Sequence, residues 1–426
     1  MKKLILLVAI FCGFVDHGFA QPEYTYVDNI KNIKLYPYGN QIGYPILGLN
    51  SGDKMELHFD DLDGGVADYS YTYQLCNADW TPAILGQLDY IRGFVSNRLL
   101  TYRNSSVSLT KYTHYQAVLP ENNSSPSRSG NYILKVYANG DTSQLLFTKR
   151  FLVVETKAAA IAQIQQPFNG QYFTTHQKIQ MTVNTKTLDL VNPMQQIKVC
   201  ILQNYRWDNA ICNIKPTFIR KNELAYNTEE DCIFPGGREW RWLDLRSFRL
   251  QSDRVTHADY RKDGTDIYVK TDLDREKQPF LYYQDNNGRY YNDVSESVNY
   301  LWQADYAKVN FSFRTPDGHP FDGRDLYLFG ELTNYGLDPE AKMIYNADKG
   351  LYETSLFLKQ AYYDYSYITV DKTKPRSDFS NTEGNYWETE NRYTILIYYR
   401  SLSDRADELV DVTQVNSITG RQGYSN

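Results

Sequence analysis

Period 2 runs through this sequence, and period 3.6 does not. Met55-Glu56-Leu57-His58-Phe59 alternates apolar and polar residues, and Tyr69-Ser70-Tyr71-Thr72-Tyr73 does the same. Successive side chains of a strand point to opposite faces, so such runs make half-buried strands. Gly, Asn, Asp and Ser clusters separate them. No window carries the long, capped apolar stripe of a helix. The pattern excludes a helical bundle and a regular βα alternation, and it predicts an all-β protein. Tyrosine usage points the same way: 38 Tyr and 19 Phe stand against 5 Met, and aromatic rings favour pleated surfaces that are half apolar and half wet.

The runs fall into three blocks. Residues 1–20 read as a signal peptide: Lys2 and Lys3, a short apolar stretch over 4–15, and Gly18-Phe19-Ala20 at the cleavage site. Export follows, with a mature start at Gln21. Residues 21–155 form the first predicted domain, with strands at 33–36, 45–49, 55–59, 69–75, 112–118, 132–137 and 145–154. Seven short strands predict a β-sandwich of immunoglobulin or fibronectin type. Ser129-Gly130-Asn131-Tyr132 resembles the corner of such a sandwich. Residues 77–104, with Trp80, Tyr90 and Phe94, predict an ordered insertion. A shift of composition at 157–161 marks the next boundary. The second domain is predicted over 156–302 and the third over 303–418, with a frayed polar tail at 419–426. The expectation is three consecutive immunoglobulin-, fibronectin- or early-set-like β-sandwiches.

A formal charge of −6 argues against a nucleic-acid binder, which needs a basic face. No segment after the leader has the roughly 18 apolar residues of a membrane helix. HExxH, the P-loop, the dinucleotide glycines and G-x-S-x-G are all missing. His114, flanked by aromatic residues, reads as a packed, hydrogen-bonded side chain. Asp285-Asn286-Asn287-Gly288 and the Asp60, Asp61, Asp63 group lack the downstream ligands of a calcium loop and read as turns. No catalytic residue, metal ligand or cofactor is assigned.

Residues 197–247 attract most attention. Two β-branched segments flank Tyr205-Arg206-Trp207, three large side chains in a hairpin turn where small ones would do. These three are the candidate partner contacts. A turn centred on Arg206 sets Cys200 opposite Cys212, a spacing that admits a cross-strand disulfide and equally two buried thiols. Further on, period 2 predicts Arg238, Trp240 and Trp242 on one face of a strand and Glu239 and Arg241 on the other.

Two resemblances follow from quoted motifs. Leu328-Phe329-Gly330-Glu331-Leu332-Thr333-Asn334-Tyr335, with Gly350-Leu351-Tyr352 and the strand ending at Val370-Asp371, resembles the early-set sandwich of starch- and glycogen-binding modules. That resemblance makes Tyr335 and Tyr352 candidate glycan-stacking residues and makes a periplasmic or surface glycan-binding protein the alternative function. Cys76-Asn77-Ala78-Asp79-Trp80, Tyr112-Thr113-His114-Tyr115, Gly130-Asn131-Tyr132, Gln203 to Ile211, Phe234-Pro235-Gly236-Gly237, Gly384 to Asn391 and Tyr398-Tyr399-Arg400 together resemble the plug protein family of the type IX secretion system. This second resemblance spans nearly the whole mature chain. It implies a non-enzymatic periplasmic protein at the inner face of the outer membrane, a monomer within its complex. Its partner is the large outer-membrane β-barrel translocon, whose channel it seals.

Overall fold

The computed structural model describes residues 23–373 and 377–420. The predicted leader and most of the predicted tail lie outside these residues. Strands dominate; among the described residues the α-helical segments are Pro193–Gln196 and Tyr300–Gln303.

The first sandwich follows the sequence closely. One sheet runs Ile30–Pro37, Met55–Asp61, Thr113–Leu119, Thr101–Asn104; the other runs Ile46–Gly48, Leu145–Val154, Gly130–Ala138, Tyr69–Cys76, Asn97–Arg98. Leu57, Phe59 and Tyr115 meet Tyr73, Leu134, Phe147 and Phe151 in one core. Phe59 lies flat on Tyr115 and edge-on to Phe147, with centroids 5.2 and 5.1 Å away. A buried phenol needs a partner for its hydroxyl. Tyr69 donates to Asp61 at 2.7 Å and Tyr71 to Glu121 at 2.9 Å. Tyr132 donates to the Arg128 carbonyl at 2.9 Å, which is the tyrosine corner of such sandwiches. Within the 77–104 insertion Trp80 and Tyr90 are buried, whereas Phe94 is exposed.

Beyond residue 156, strand pairing departs from the expected boundaries. Ala159–Gln165, His176–Asn184, Glu223–Tyr226 and Phe218–Arg220 form one sheet; Ile211–Cys212, Ile197–Gln203, Arg392–Tyr399 and Glu408–Asn416 form the sheet facing it. Ile179, Val183, Val199 and Leu224 share a core with Ile395, Ile397 and Val410. The last two strands, assigned by sequence to the third domain, therefore complete the second sandwich. Between Ile233–Pro235 and these two strands the chain forms a body that begins at Arg241–Asp244 and includes Thr265–Val269, Tyr306–Arg314, Arg324–Phe329, Leu351–Lys359 and Ala361–Asp371. Thr265–Val269 pairs in parallel with Tyr306–Arg314, across the expected break at 302. Local pattern identifies strands but not their partners, and a long excursion between neighbouring strands leaves no local trace.

Two smaller expectations also change. The aromatic run at 280–284, which the sequence predicts as a strand ahead of a hairpin turn, is not one, although the turn is present, with Asn287 and Gly288 at φ 55° and 79°. The predicted strand begins only at Arg241, and burial alternates within Arg241–Asp244; ahead of it Glu239 and Trp240 are buried in succession, at 0 and 5 % exposure. Arg241 is drawn inward by Glu383 and Asp272, at 2.9 and 2.8 Å.

Candidate functional site

The turn singled out by the sequence sits where the three cores meet. Cys200 faces Cys212 across the hairpin, and the two form a disulfide. The Arg206 N–H donates to the Gln203 carbonyl at 3.1 Å, and Asn204 and Tyr205 have φ 56° and 58°. Two consecutive left-handed residues suit the twist of a hairpin. Asn tolerates that conformation; for Tyr it costs about 1–2 kcal/mol.

Packing offsets the cost. Tyr205 stacks on Tyr44 of the first sandwich at 4.5 Å. Trp207 meets Trp80 edge-on at 4.8 Å, with the Arg150 guanidinium over both rings at 5.5 and 4.6 Å. Arg206 is only 4 % exposed; it lies 4.8 Å from the Phe329 ring and 5.0 Å from Phe379 and pairs with Asp208. Tyr205, Arg206 and Trp207 thus tie the second sandwich to both other bodies. Much of their surface is spent on these internal contacts, Arg206 being buried and Tyr205 and Trp207 half-buried.

Buried charge crosses the other joints. Asp60 of the first sandwich is fully enclosed; it accepts from Lys359 at 2.7 Å, Tyr306 at 2.5 Å and the His114 Nδ1 at 2.6 Å. Burial alone would raise the Asp60 carboxyl, but Lys359 and His114 outweigh it and hold the group below its usual range. His114 itself is pushed down to about 4 by burial, against the pull of Asp60. Glu331 is likewise penalised by burial, yet Arg289 and Lys34 hold it at about 2; Lys34 reaches it from the first sandwich at 2.6 Å. At the joint with the second sandwich, Asp407 accepts from Lys198 Nζ, Arg400 Nε and the Ala78 N–H at 2.9, 2.8 and 2.9 Å. Tyr398 donates to Asn131 there at 2.8 Å.

Of the two glycan candidates Tyr352 is buried and Tyr335 is half-buried. Tyr352 is 4 % exposed, between Phe321 and Tyr345, and its hydroxyl accepts from the Phe321 N–H at 2.7 Å. Tyr335 packs against Trp240 and Phe329 and donates to the Gly288 carbonyl at 3.2 Å. A sugar stacks on an open ring face, which Tyr352 does not offer. Two clefts flank the joint, with volumes of about 420 and 340 Å³. Glu23 and Glu331 line both, and each carboxylate is already paired, with Lys149 and with Lys34 and Arg289. Among the described residues no cluster of His, Cys, Asp and Glu could hold a metal ion.

Sequence reasoning missed the joint residues Lys359 and Asp407. An isolated charged residue in a strand carries no local signal of a partner some 300 positions away, as Lys359 has in Asp60.

Residues 30–155 match the family described as the type 9 secretion system plug protein 1st domain. A crystal structure of a hypothetical protein from Parabacteroides merdae ATCC 43184 is similar over 93 % of this chain and 99 % of that one, with 31 % identity and a TM-score of 0.89. A trypsin-activated alpha-2-macroglobulin from Escherichia coli, at 9 % identity and a TM-score of 0.19 over 92 % of this chain and 35 % of its own, carries no argument. No curated protein matches. By its first domain and by the likeness that extends over nearly its whole length, the chain belongs to the type 9 secretion system plug protein family.

Proposed function

We propose that the exported chain binds the periplasmic opening of the outer-membrane translocon barrel and seals its channel. The leader at 1–20 would deliver it to the periplasm, where it would sit as a monomer against the inner face of the outer membrane. The observation that carries this reading, beside family membership, is the way the bodies are joined. Lys359–Asp60 and Lys34–Glu331 join the first sandwich to the third body with side chains that are largely out of water, and Asp407 of the second sandwich, itself buried, accepts from the Ala78 N–H of the first. Breaking such a pair leaves a buried charge uncompensated, at a cost of about 3–5 kcal/mol. Joints of that kind make one stiff body from three sandwiches, and stiffness is what a seal requires. No helix among the described residues is long and apolar enough to cross a membrane. The glycan-binding alternative is weakened by the burial of Tyr352.

The test is recovery of the translocon barrel from cells carrying the full-length chain. The chain is expected in stoichiometric amount with cargo-free barrels, and a deletion strain is expected to admit large solutes that the outer membrane normally excludes. Intact cargo-free barrels recovered without the chain would contradict the proposal.

A further inference from the structure

The edge of the second sandwich is apolar and basic, on a chain whose formal charge is −6. Phe218–Arg220 is the last strand of its sheet and pairs, among the described residues, only with Glu223–Tyr226. Residues 217–221 are exposed without a break, Phe218 at 72 % and Ile219 at 45 %. The hairpin is anchored at both ends. The Thr217 N–H donates to the Ala225 carbonyl at 2.7 Å, and the Asn222 carbonyl accepts from the N–H and hydroxyl of buried Thr185 at 2.8 and 3.0 Å. Lys215 Nζ donates to the Met194 carbonyl at 3.3 Å, which sets the 185–196 loop beside it. Strand register gives the faces. Phe218 lies opposite Ala225 on the outer face, in one row with Thr182 and exposed Ile161. Ile219 lies opposite buried Leu224 and overhangs the core at the sheet edge.

Four cations, Lys186, Lys215, Arg220 and Lys221, are exposed on these segments against two acids, Asp189 and Glu223. No ion pair among the described residues involves any of the six. The next charges outward do not cancel the excess. Lys157, whose carbonyl accepts from the Thr187 hydroxyl, is paired with Glu155 and Glu408. Glu229 is paired with Lys178, and Glu230 and Asp231 follow it. Lys178 precedes Thr182 by four residues on the same strand, which puts it roughly 13 Å from the Phe218 row, beyond the screening length of about 8 Å at physiological salt. A rigid partner meeting one face of a strand leaves the other face wet. Here the two large apolar side chains leave an edge strand on opposite faces, and unpaired cations stand around them. A fluid layer with an apolar interior and an anionic surface accommodates both faces at once.

We infer that the 215–222 hairpin docks on an anionic phospholipid surface, with Phe218 and Ile219 entering the headgroup layer and Lys215, Arg220 and Lys221 lying over the phosphates. The contact is peripheral and reversible, since two side chains bury less apolar surface than a single acyl chain, which itself binds only reversibly. The test is sedimentation of the purified mature chain with vesicles of phosphatidylcholine, and with vesicles in which phosphatidylglycerol replaces part of it. Partition onto the anionic vesicles is expected to be about tenfold or more stronger at low salt and to fall as salt is added. Phe218→Ser with Ile219→Ser is expected to weaken it by about tenfold, and Arg220→Glu with Lys221→Glu by about tenfold or more. Leu250→Ser with Ile344→Ser, exposed at 78 and 64 % on the third body, is expected to leave it unchanged.

Wild type that stays in solution with anionic vesicles at low salt would overturn the inference. Equal partition onto neutral vesicles would overturn the acidic headgroup, and hairpin variants that bind like wild type would overturn the hairpin. Self-association of the wild type that the hairpin variants lose, without vesicle binding, would give the edge strand to a second copy of the chain and overturn the assigned partner. The vesicles contain no barrel, so failure here leaves the translocon reading standing, and failure of that reading leaves this one. Thermal midpoints of the purified variants, expected near wild type for exposed positions, show that a loss is not misfolding.

Discussion

Tyr205 lies face to face with Tyr44 across the boundary of two sandwiches, with centroids 4.5 Å apart and planes 11° from parallel. A residue held at φ 58° is kept there by a partner from another body. The joint and the turn are thus one structure, and each explains the other's cost.

Tyr205→Ala is expected to destabilise the mature protein by about 2–4 kcal/mol, from the lost ring burial and the lost stack, with the left-handed strain retained. Tyr205→Gly removes the same ring but also the strain, so it is expected to be about 1 kcal/mol more stable than the Ala variant. Urea midpoints check both. An Ala variant as stable as wild type would mean that the turn stands on its own.

The Asp60–Lys359 pair predicts strong coupling. Asp60→Asn and Lys359→Met are each expected to cost about 3–5 kcal/mol, because each leaves a charge in a dry joint. The double variant is expected to be less damaging than the sum, with a coupling of about 1–3 kcal/mol. A double-mutant cycle in urea measures it, and strict additivity would show that the two charges do not depend on each other.

Stability should also depend on pH through buried acids. Burial pushes Glu239 up to about 8 and, with the same cause, Asp285 up to about 7; one Glu239 oxygen has no hydrogen-bond partner. A carboxyl whose folded pKa is raised favours folding below its unfolded value, and that contribution is lost as pH rises through the folded value. Unfolding free energy is therefore expected to fall between about pH 4 and 8, by on the order of 5 kcal/mol from Glu239. His114, pushed down to about 4, acts with the opposite sign and removes stability as pH falls from about 6.5. Glu239→Gln, which mimics the protonated acid, is expected to flatten the alkaline limb; an unchanged limb would place the effect elsewhere.

The hairpin disulfide closes a short loop, with a sequence separation of 12. Chain entropy gives about 3 kcal/mol for a loop of this size. Cys200→Ser with Cys212→Ser is expected to lose about that much and to abolish the difference between reducing and non-reducing melts, since Cys76 and Cys232 are free thiols.

The fold class and the first sandwich were legible because their information is local. Alternation fixed the strands near 55–61 and 69–76, and Ser129-Gly130-Asn131-Tyr132 marked a corner that the Tyr132–Arg128 hydrogen bond completes. The excursion of 241–378 out of the second sandwich was not legible, since nothing near Ile395 says that its neighbour is Ile201. The internal contacts of Tyr205, Arg206 and Trp207 were not legible for a related reason: large side chains in a turn look the same in sequence whether solvent or another domain covers them. The family motifs prove to be informative in a different way. Asn77 and Ala78, Asn131, His114, Tyr205 to Trp207 and Arg400 all lie at joints. What those motifs mark is how the bodies lock together. Exposed Leu281 and Tyr282 were missed because their run, Phe280-Leu281-Tyr282-Tyr283, reads as a buried strand.

The account's central claim is that this locked body docks on the translocon as a seal. Recovery of the barrel from cells, with quantification of the bound chain, tests it most directly. The full-length chain is expected in stoichiometric amount on cargo-free barrels. Cargo-free barrels recovered intact with no chain bound would contradict it.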